Sequence, residues 1–277
     1  MTVSQAEKGR RFQALHARPG IFVIPNPWDA GSARILAALG FEALTTTSAG
    51  LAFTLGKWDG DHSVTREEAL ANARAVAEAT DLPVAADLEN GFGDTPEAAA
   101  ETIRLAGERA GLVGGSIEDA TGNPARPIYD FDHAVERVAA AAEAARRFPF
   151  PFMLVGRAEN YLHARPDLDD TIRRLQAFAR AGADVVFAPG VVRPEDIATI
   201  CRSVPRPVNV VMGLKHVALS TAELSALGVK RISLGSALAR AALTGFVAAA
   251  REVHDRGTFT FADGAISYAD ANAMMGR

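Results

Sequence analysis

Short apolar runs alternate with longer amphipathic stretches along the whole chain, and this alternation constrains the fold more than any other feature. The runs are IFVIPN (21–26), ALTTTS (43–48), VAADLE (84–89), VGGSIED (113–119), FMLVGRAE (152–159), DVVFAPG (184–190), PVNVVM (207–212) and RISLG (231–235). Such continuous runs suit strands buried on both faces, as in a parallel sheet covered by crossover helices. The stretches between them carry helix signals. DAGSARILAALG opens on Asp29 and closes on Gly40, Thr65 and Glu68 make a capping-box pair, and Pro96 and Gly111 bracket another helix. Eight such units in 277 residues predict a single-domain α/β fold, the (β/α)8 TIM barrel, for which about 250 residues is typical. An open doubly wound sheet is the alternative. It is weakened because the chain reads PNPWDAGSA after the first run, without the dinucleotide fingerprint G-x-G-x-x-G.

The expected organisation is one domain over residues 1–277, with a barrel core at about 20–250 and a C-terminal helical extension at about 251–277. Phe259, Phe261 and Tyr268 of that extension need a partner surface. Leu243, Phe246 and Val247, in the Ala-rich helix before it, suit a barrel wall or a subunit contact equally. A homo-oligomer is therefore an expectation. A formal net charge of −4 gives no basic footprint for nucleic acid. No apolar run is long enough to span a bilayer, and the N-terminal stretch has no apolar signal core. Cys201 is the only cysteine, which removes disulfide frameworks and Cys-based zinc sites and suits a reducing cytoplasm.

The acids are placed unusually. Catalytic groups of a barrel sit at the C-terminal ends of its strands. Asp87 and Glu89 end the third run, and their spacing on a strand directs them to one side. Glu118 and Asp119 end the fourth run, and Asp59 and Asp61 follow the second on a loop. Taken singly, each acid is better explained as a helix cap or an arginine partner, Asp94 and Asp119 above all. Asp87, Glu89 and Glu118 together read differently, because each lies inside an apolar run where an unpaired charge is costly. A hard divalent cation resolves the repulsion, since Mg²⁺ needs only one or two direct carboxylates and keeps several waters.

Other strand ends supply further candidates. Arg157, among apolar neighbours, could grip a substrate carboxylate with parallel hydrogen bonds, or form a structural salt bridge with Glu118 or Glu159. Thr47, Ser48, Ala49 and Gly50 form either an oxyanion-binding turn or merely a tight loop. Gly235 and Ser236 open the last long helix, where a barrel can bind phosphate or simply cap a helix. The four lysines lie outside the strand runs, which disfavours Schiff-base chemistry, and the six histidines show no metal-ligand spacing. There is no G-x-S-x-G nucleophile elbow. Metal-assisted chemistry on a small carboxylate remains.

Over most of its length, from IPNPWDAGSARILAALGFEAL to LGSALARAA, the chain resembles the isocitrate lyase/phosphoenolpyruvate mutase superfamily. The segments LGKWD, ADLENGFGD, GGSIED and VGRAEN carry the resemblance. It implies a barrel tetramer with the eighth helix exchanged between subunits, Mg²⁺ or Mn²⁺ at the strand mouth, and cleavage or formation of a C–C or P–C bond beside a 2-oxo acid. Carried onto this sequence, it makes Asp59, Asp87, Glu89 and Glu118 the metal-associated acids. Asp87 becomes the direct ligand, Arg157 the carboxylate clamp, and Ser48-Ala49-Gly50-Leu51 the substrate cradle.

There are departures. Glu89 stands where the family has Asp, and EDATGNPARPIYD replaces the Cys-bearing segment of the methylisocitrate and isocitrate lyases. In this loop (119–131) only Asn123 and Arg126 could play parts comparable to the gating residues of phosphonopyruvate enzymes, which leaves the loop's reading open, with Asn123 a substrate-binding candidate and Tyr129 a candidate proton donor. Three functions are thus open. The leading one is a Mg²⁺-dependent lyase cleaving a C–C bond of a small 2-oxo or 2-hydroxy carboxylate, by oxaloacetate-type decarboxylation or retro-aldol cleavage. The others are a phosphonomutase or phosphonopyruvate hydrolase and a catalytically silent barrel.

Overall fold

The computed structural model describes residues 3–276. Eight strands form one parallel sheet: β1 (Phe22–Ile24), β2 (Leu44–Thr45), β3 (Val84–Asp87), β4 (Gly114–Glu118), β5 (Met153–Arg157), β6 (Val185–Phe187), β7 (Val208–Val211) and β8 (Arg231–Ser233). Each lies inside one of the apolar runs. Their order is β1-β8-β7-β6-β5-β4-β3-β2. The Thr45 N–H donates to the Pro25 carbonyl at 3.1 Å, which brings β2 back beside β1. The sheet is a nearly closed (β/α)8 barrel, as expected.

The helices are α1 (Gln5–Ala17), α2 (Ala30–Ala38), α3 (Ser48–Thr54), α4 (Arg66–Glu78), α5 (Pro96–Ala110), α6 (Phe131–Arg146), α7 (Leu168–Ala181), α8 (Pro194–Ser203), α9 (Thr221–Ala226), α10 (Ala237–Arg256) and α11 (Tyr268–Met275), with a 3-10 turn at Thr260–Gly264. Local chemistry sets their ends. Asp29 and Ser32 cap α2 reciprocally, as Thr65 and Glu68 cap α4. Helix α5 starts on Pro96 and stops at Gly111, whose φ of 70° is the left-handed conformation that glycine adopts at little cost.

Two apolar layers result. The outer one lies between strands and helices. The inner one fills the lower barrel with Phe22, Ile24, Ala85, Met153 and Val155, closed below by Phe12 and Leu15 of α1. The plugging role of α1 has no counterpart in the sequence reading. Gly114 on β4 makes it fit, because a Cβ there would stand 2.8 Å from both the Met153 carbonyl oxygen and the Phe12 ring.

Helix α10 is the exception to this layering. Of its twenty residues only Ala239 and Glu252 are buried, and Phe246 is 69% exposed. The helix runs unbroken through residue 250, so the expected start of the extension falls inside it. Beyond it, α11 returns to pack on α2. Among the described residues, no helix is long and apolar enough to cross a membrane.

Candidate active site

Three strand ends meet at one guanidinium. Arg157, the last residue of β5, donates from Nη1 to Asp87 Oδ1 at 2.7 Å and from Nε to Glu159 Oε1 at 3.0 Å, and its Nη2 stands 3.0 Å from Glu118 Oε2. Neighbouring register produces this geometry: Glu118 pairs with Arg157 across β4 and β5, and Asp87 with Ser116 across β3 and β4. Both sequence readings of Arg157 therefore meet in one residue. It is ion-paired, as the structural reading expects, yet it also lines the open cavity. A guanidinium has five N–H bonds, so three ion-paired contacts leave one hydrogen on each Nη.

Asp87 is the hub among the acids. Its Oδ1 also accepts from Ser116 Oγ at 3.3 Å, and its Oδ2 accepts from Ser48 Oγ at 3.0 Å. Its backbone N–H donates to Thr46 Oγ1 at 3.2 Å. Ser48 opens α3, and Thr47 caps that helix by accepting from the Gly50 N–H at 3.3 Å. The 48–51 turn is thus a short helix start. Ser48 and Ala49 face the cavity, whereas Gly50 packs against Trp28 and Ala239 and Leu51 is buried with Ala52 and Val64.

The remaining acids are unevenly placed. Asp59 lines the same cavity from an exposed loop; desolvation of its carboxyl, then Asp87, push it above the usual range. Glu118 is pushed well up by burial and by Glu159, Asp87 and Glu89, against the pull of Arg157. Glu89 corrects the expectation of a strand-borne pair with Asp87. The strand stops at Asp87, Glu89 takes a left-handed φ of 48°, and its carboxyl lies 3.8 Å from His62 Nδ1. Burial, then Asp87 and Asp59, raise it to about 7.

Among the described residues, no three His, Cys, Asp or Glu side chains come together as a ready ligand shell. The donor set fits a divalent cation in a narrower form. Asp87 can offer Oδ2 as one direct carboxylate, with Asp59 available to the waters that such an ion retains; Glu89 and Glu118 are not among the residues lining the cavity.

The cavity holds about 220 Å³. It runs from Asp59, Leu162 and Arg240 at the mouth, past Asp87 and Arg157, to Asn209 and Arg231 inside the barrel. Tyr129 and Asn123 are not among its lining residues; they line a separate cavity with Arg126, Asp94 and His133. The Tyr129 hydroxyl donates to Asp94 Oδ1 at 2.6 Å and accepts from Asn90 Nδ2 at 3.2 Å. Burial, then the Asp94 bond, push it to about 12. In this conformation it is held away from Asp87 and Arg157, because the 119–131 loop folds back onto the α5 entrance.

At the last strand end, the N–H groups of Leu234 and Gly235 donate to Asn26 Oδ1 at 2.8 and 2.9 Å, and Ser236 makes no side-chain capping bond. Those two donors are already taken, which counts against a phosphate there. Asn26 was missed in the sequence, as were Ser116, Asn209 and Arg231. The signal that singled out the acids, a polar residue inside an apolar run, marks them too. Cys201 lies on α8 away from the cavity, and burial pushes its thiol to about 11.

Comparison with known proteins places this geometry in a family. The family model described as phosphoenolpyruvate phosphomutase matches residues 12–254. A crystal structure from Burkholderia cenocepacia J2315, described as that of a lyase/mutase, superposes with a TM-score of 0.95 at 57% identity, covering 99% of this chain and 97% of that one. An uncharacterised protein of Mycobacterium tuberculosis is 35% identical over 244 residues, 88% of this chain and 89% of its own. The 2,3-dimethylmalate lyase of Eubacterium barkeri is 30% identical over 227 residues, 79% of this chain and 76% of its own. With a matching model over most of its length, this chain belongs to the phosphoenolpyruvate phosphomutase family, within the isocitrate lyase/phosphoenolpyruvate mutase superfamily.

Proposed function

We propose that the protein is a divalent-metal-dependent lyase that cleaves a C–C bond beside the carboxylate of a small 2-oxo or 2-hydroxy acid. The observation that carries this reading is the single cavity in which Arg157 and Asp87 stand 2.7 Å apart, with Ser48 bonded to the other oxygen of Asp87. The two free Nη hydrogens of Arg157 suit a substrate carboxylate. Asp87, with Asp59, Glu89 and Glu118 nearby, would hold Mg²⁺ or Mn²⁺. When bound, the ion supplies Lewis acidity at the oxo or hydroxy oxygen as the bond breaks. Ser48 orients the Asp87 carboxylate, and Glu118 and Glu159 hold the guanidinium plane in place. Leu162, Phe187 and Leu214 provide an apolar wall that limits water around the substrate. The relative named as a 2,3-dimethylmalate lyase supports a lyase over a silent barrel.

Steady-state turnover of oxaloacetate and 2-alkylmalates, with Mg²⁺ and with a chelator, tests the reading. Metal-dependent release of a 2-oxo acid or of CO₂ is expected. Phosphate release from phosphonopyruvate without C–C cleavage would favour the phosphonate reading, for which the family model's own description speaks. We also propose a homo-oligomer in which α10 is exchanged between subunits. The support is the exposure of Leu243, Phe246 and Val247 on a helix that its own barrel scarcely covers.

A further inference from the structure

The loop that carries Asp59 is tied at its neck and wedged against a second loop. Lys57 closes the neck: its Nζ donates to the Ser63 carbonyl at 2.9 Å and to the two carboxylate oxygens of Glu68 at 2.6 and 2.7 Å. Its backbone N–H donates to the Ala52 carbonyl of α3 at 2.8 Å, and Val64, just beyond the loop, is buried with Leu51 and Ala52. Inside the loop, the Ser63 N–H donates to Asp61 Oδ1 at 2.9 Å. Residues 57–63 thus form a compact loop held by its own polar contacts, which shifts as a piece when it shifts. It faces two cavities. Asp59 lines the one that holds Asp87 and Arg157, whereas His62 lines an outer one with Asn90, Asp94 and Thr121.

At His62 the 57–63 loop meets the 119–131 loop. Its backbone takes a left-handed φ of 56°, which histidine adopts more readily than most side chains. The ring sits over Gly122: a Cβ there would stand 1.6 Å from Nε2 and 1.9 Å from Cδ2, so only glycine leaves room for it. Gly122 also needs its own φ of 71°. On the other side of the ring, Nδ1 lies 3.8 Å from the Glu89 carboxyl. The Glu89 carbonyl accepts from the Glu118 N–H at 3.0 Å, at the root of the same 119–131 loop. That loop is braced internally, with the Thr121 N–H donating to the Pro127 carbonyl at 2.9 Å and the Arg126 N–H to the Asn123 carbonyl at 3.0 Å. Two self-braced loops therefore meet at one imidazole.

We propose that His62 is a positioning residue that couples the two loops, so that the setting of the 119–131 loop fixes where Asp59 stands in the cavity. The coupling stands on the contacts of His62 with Gly122 and Glu89; only its bearing on a metal ion rests on the lyase reading. A wedge of this kind transmits displacement by steric contact, because closely packed groups move each other rather than compress. It also gives the glutamate at position 89 a local use, since its carboxyl reaches towards His62 from the turn after β3.

Hydrogen exchange of the intact, metal-free protein tests the coupling. His62→Asn shortens the side chain while keeping a residue that tolerates the left-handed φ. It is expected to speed exchange across 119–131 by about fivefold or more, the scale of one lost local contact. Lys57→Met opens the neck and is expected to speed exchange at 57–63 and, through His62, at 119–131. In the double variant the effect of Lys57→Met on 119–131 is expected to vanish while its effect on 57–63 persists, a non-additivity that a merely destabilised fold does not produce. Unchanged exchange at 119–131 in either single variant, or a Lys57→Met effect there that survives in the double variant, overturns the proposal. If Lys57→Met does not fold, Gly122→Ala replaces it. Displacing the ring should speed exchange at 57–63 when His62 is present and not when His62→Asn has emptied the seat; equal effects in both backgrounds refute the coupling. Mg²⁺ then separates this inference from the lyase reading. Slower exchange at both loops in the wild type, but only at 57–63 in His62→Asn, supports the coupling, and slowing of 57–63 alone in the wild type overturns it. No Mg²⁺ binding at all sinks the metal-dependent reading and leaves the metal-free comparison to decide this one.

Discussion

Replacing Arg157 with methionine tests how the acid cluster is held. The side chain is nearly buried and joins three carboxylates at 2.7, 3.0 and 3.0 Å. Charge-assisted hydrogen bonds at about 1.5–3 kcal/mol each would sum to roughly 5–9 kcal/mol. The abandoned acids relax and take up protons, so the expected loss at pH 8 is nearer about 3–5 kcal/mol, the range for breaking a buried pair from one side. The pH dependence follows from linkage. Without the guanidinium, the folded-state affinity of Glu118 for its proton rises further above that of the unfolded chain. Stability from such an acid is complete below its unfolded pKa and is lost as pH rises through the folded one. The variant should therefore recover towards wild type as pH falls from 8 to 5.5. Urea unfolding followed by circular dichroism at both pH values measures this, and Arg157→Lys, which keeps the charge without the fork, should fall between the two. A loss below about 1 kcal/mol, or the same loss at both pH values, would refute the account.

Other outcomes are equally open to measurement. Ser48→Ala frees Asp87 Oδ2 and should weaken Mg²⁺ binding about tenfold by calorimetry, with stability changed by no more than about 1 kcal/mol, while Asp87→Asn should abolish that binding. His16 is kept neutral by burial and titrates near 3 instead of 6.5. Its contribution is complete above pH 6.5 and is lost on acidification at about 1.4 kcal/mol per pH unit down to the folded value. Urea midpoints of His16→Leu should thus fall less steeply than wild type between pH 6.5 and 4. Phe246→Glu places a charge on the exposed face of α10, and light scattering should find a smaller particle than wild type if that face is a subunit contact.

Much of the architecture is legible in local sequence. Caps such as Asp29–Ser32 and Thr65–Glu68 act over three residues, and apolar strand runs announce burial whatever covers them. That is why eight strands, their helices and the concentration of acids at their ends are legible in the sequence. Even so, local periodicity fails where a strand stops: Asp87 keeps its inward direction, but Glu89, one residue into the turn, rotates towards His62.

What the sequence by itself determined is the barrel and the kinds of group at its mouth, because backbone propensity, capping and hydrophobic alternation are interactions among near neighbours. Only the tertiary structure decided which charges meet. Arg157 and Asp87 are 70 residues apart in the chain. Tyr129 turned instead to Asp94, α1 became the plug of the barrel, and Arg231 was left without a counterion. Coulombic and hydrogen-bonding partnerships depend on distances of a few ångströms between side chains on different strands, and those distances exist only once the sheet has closed.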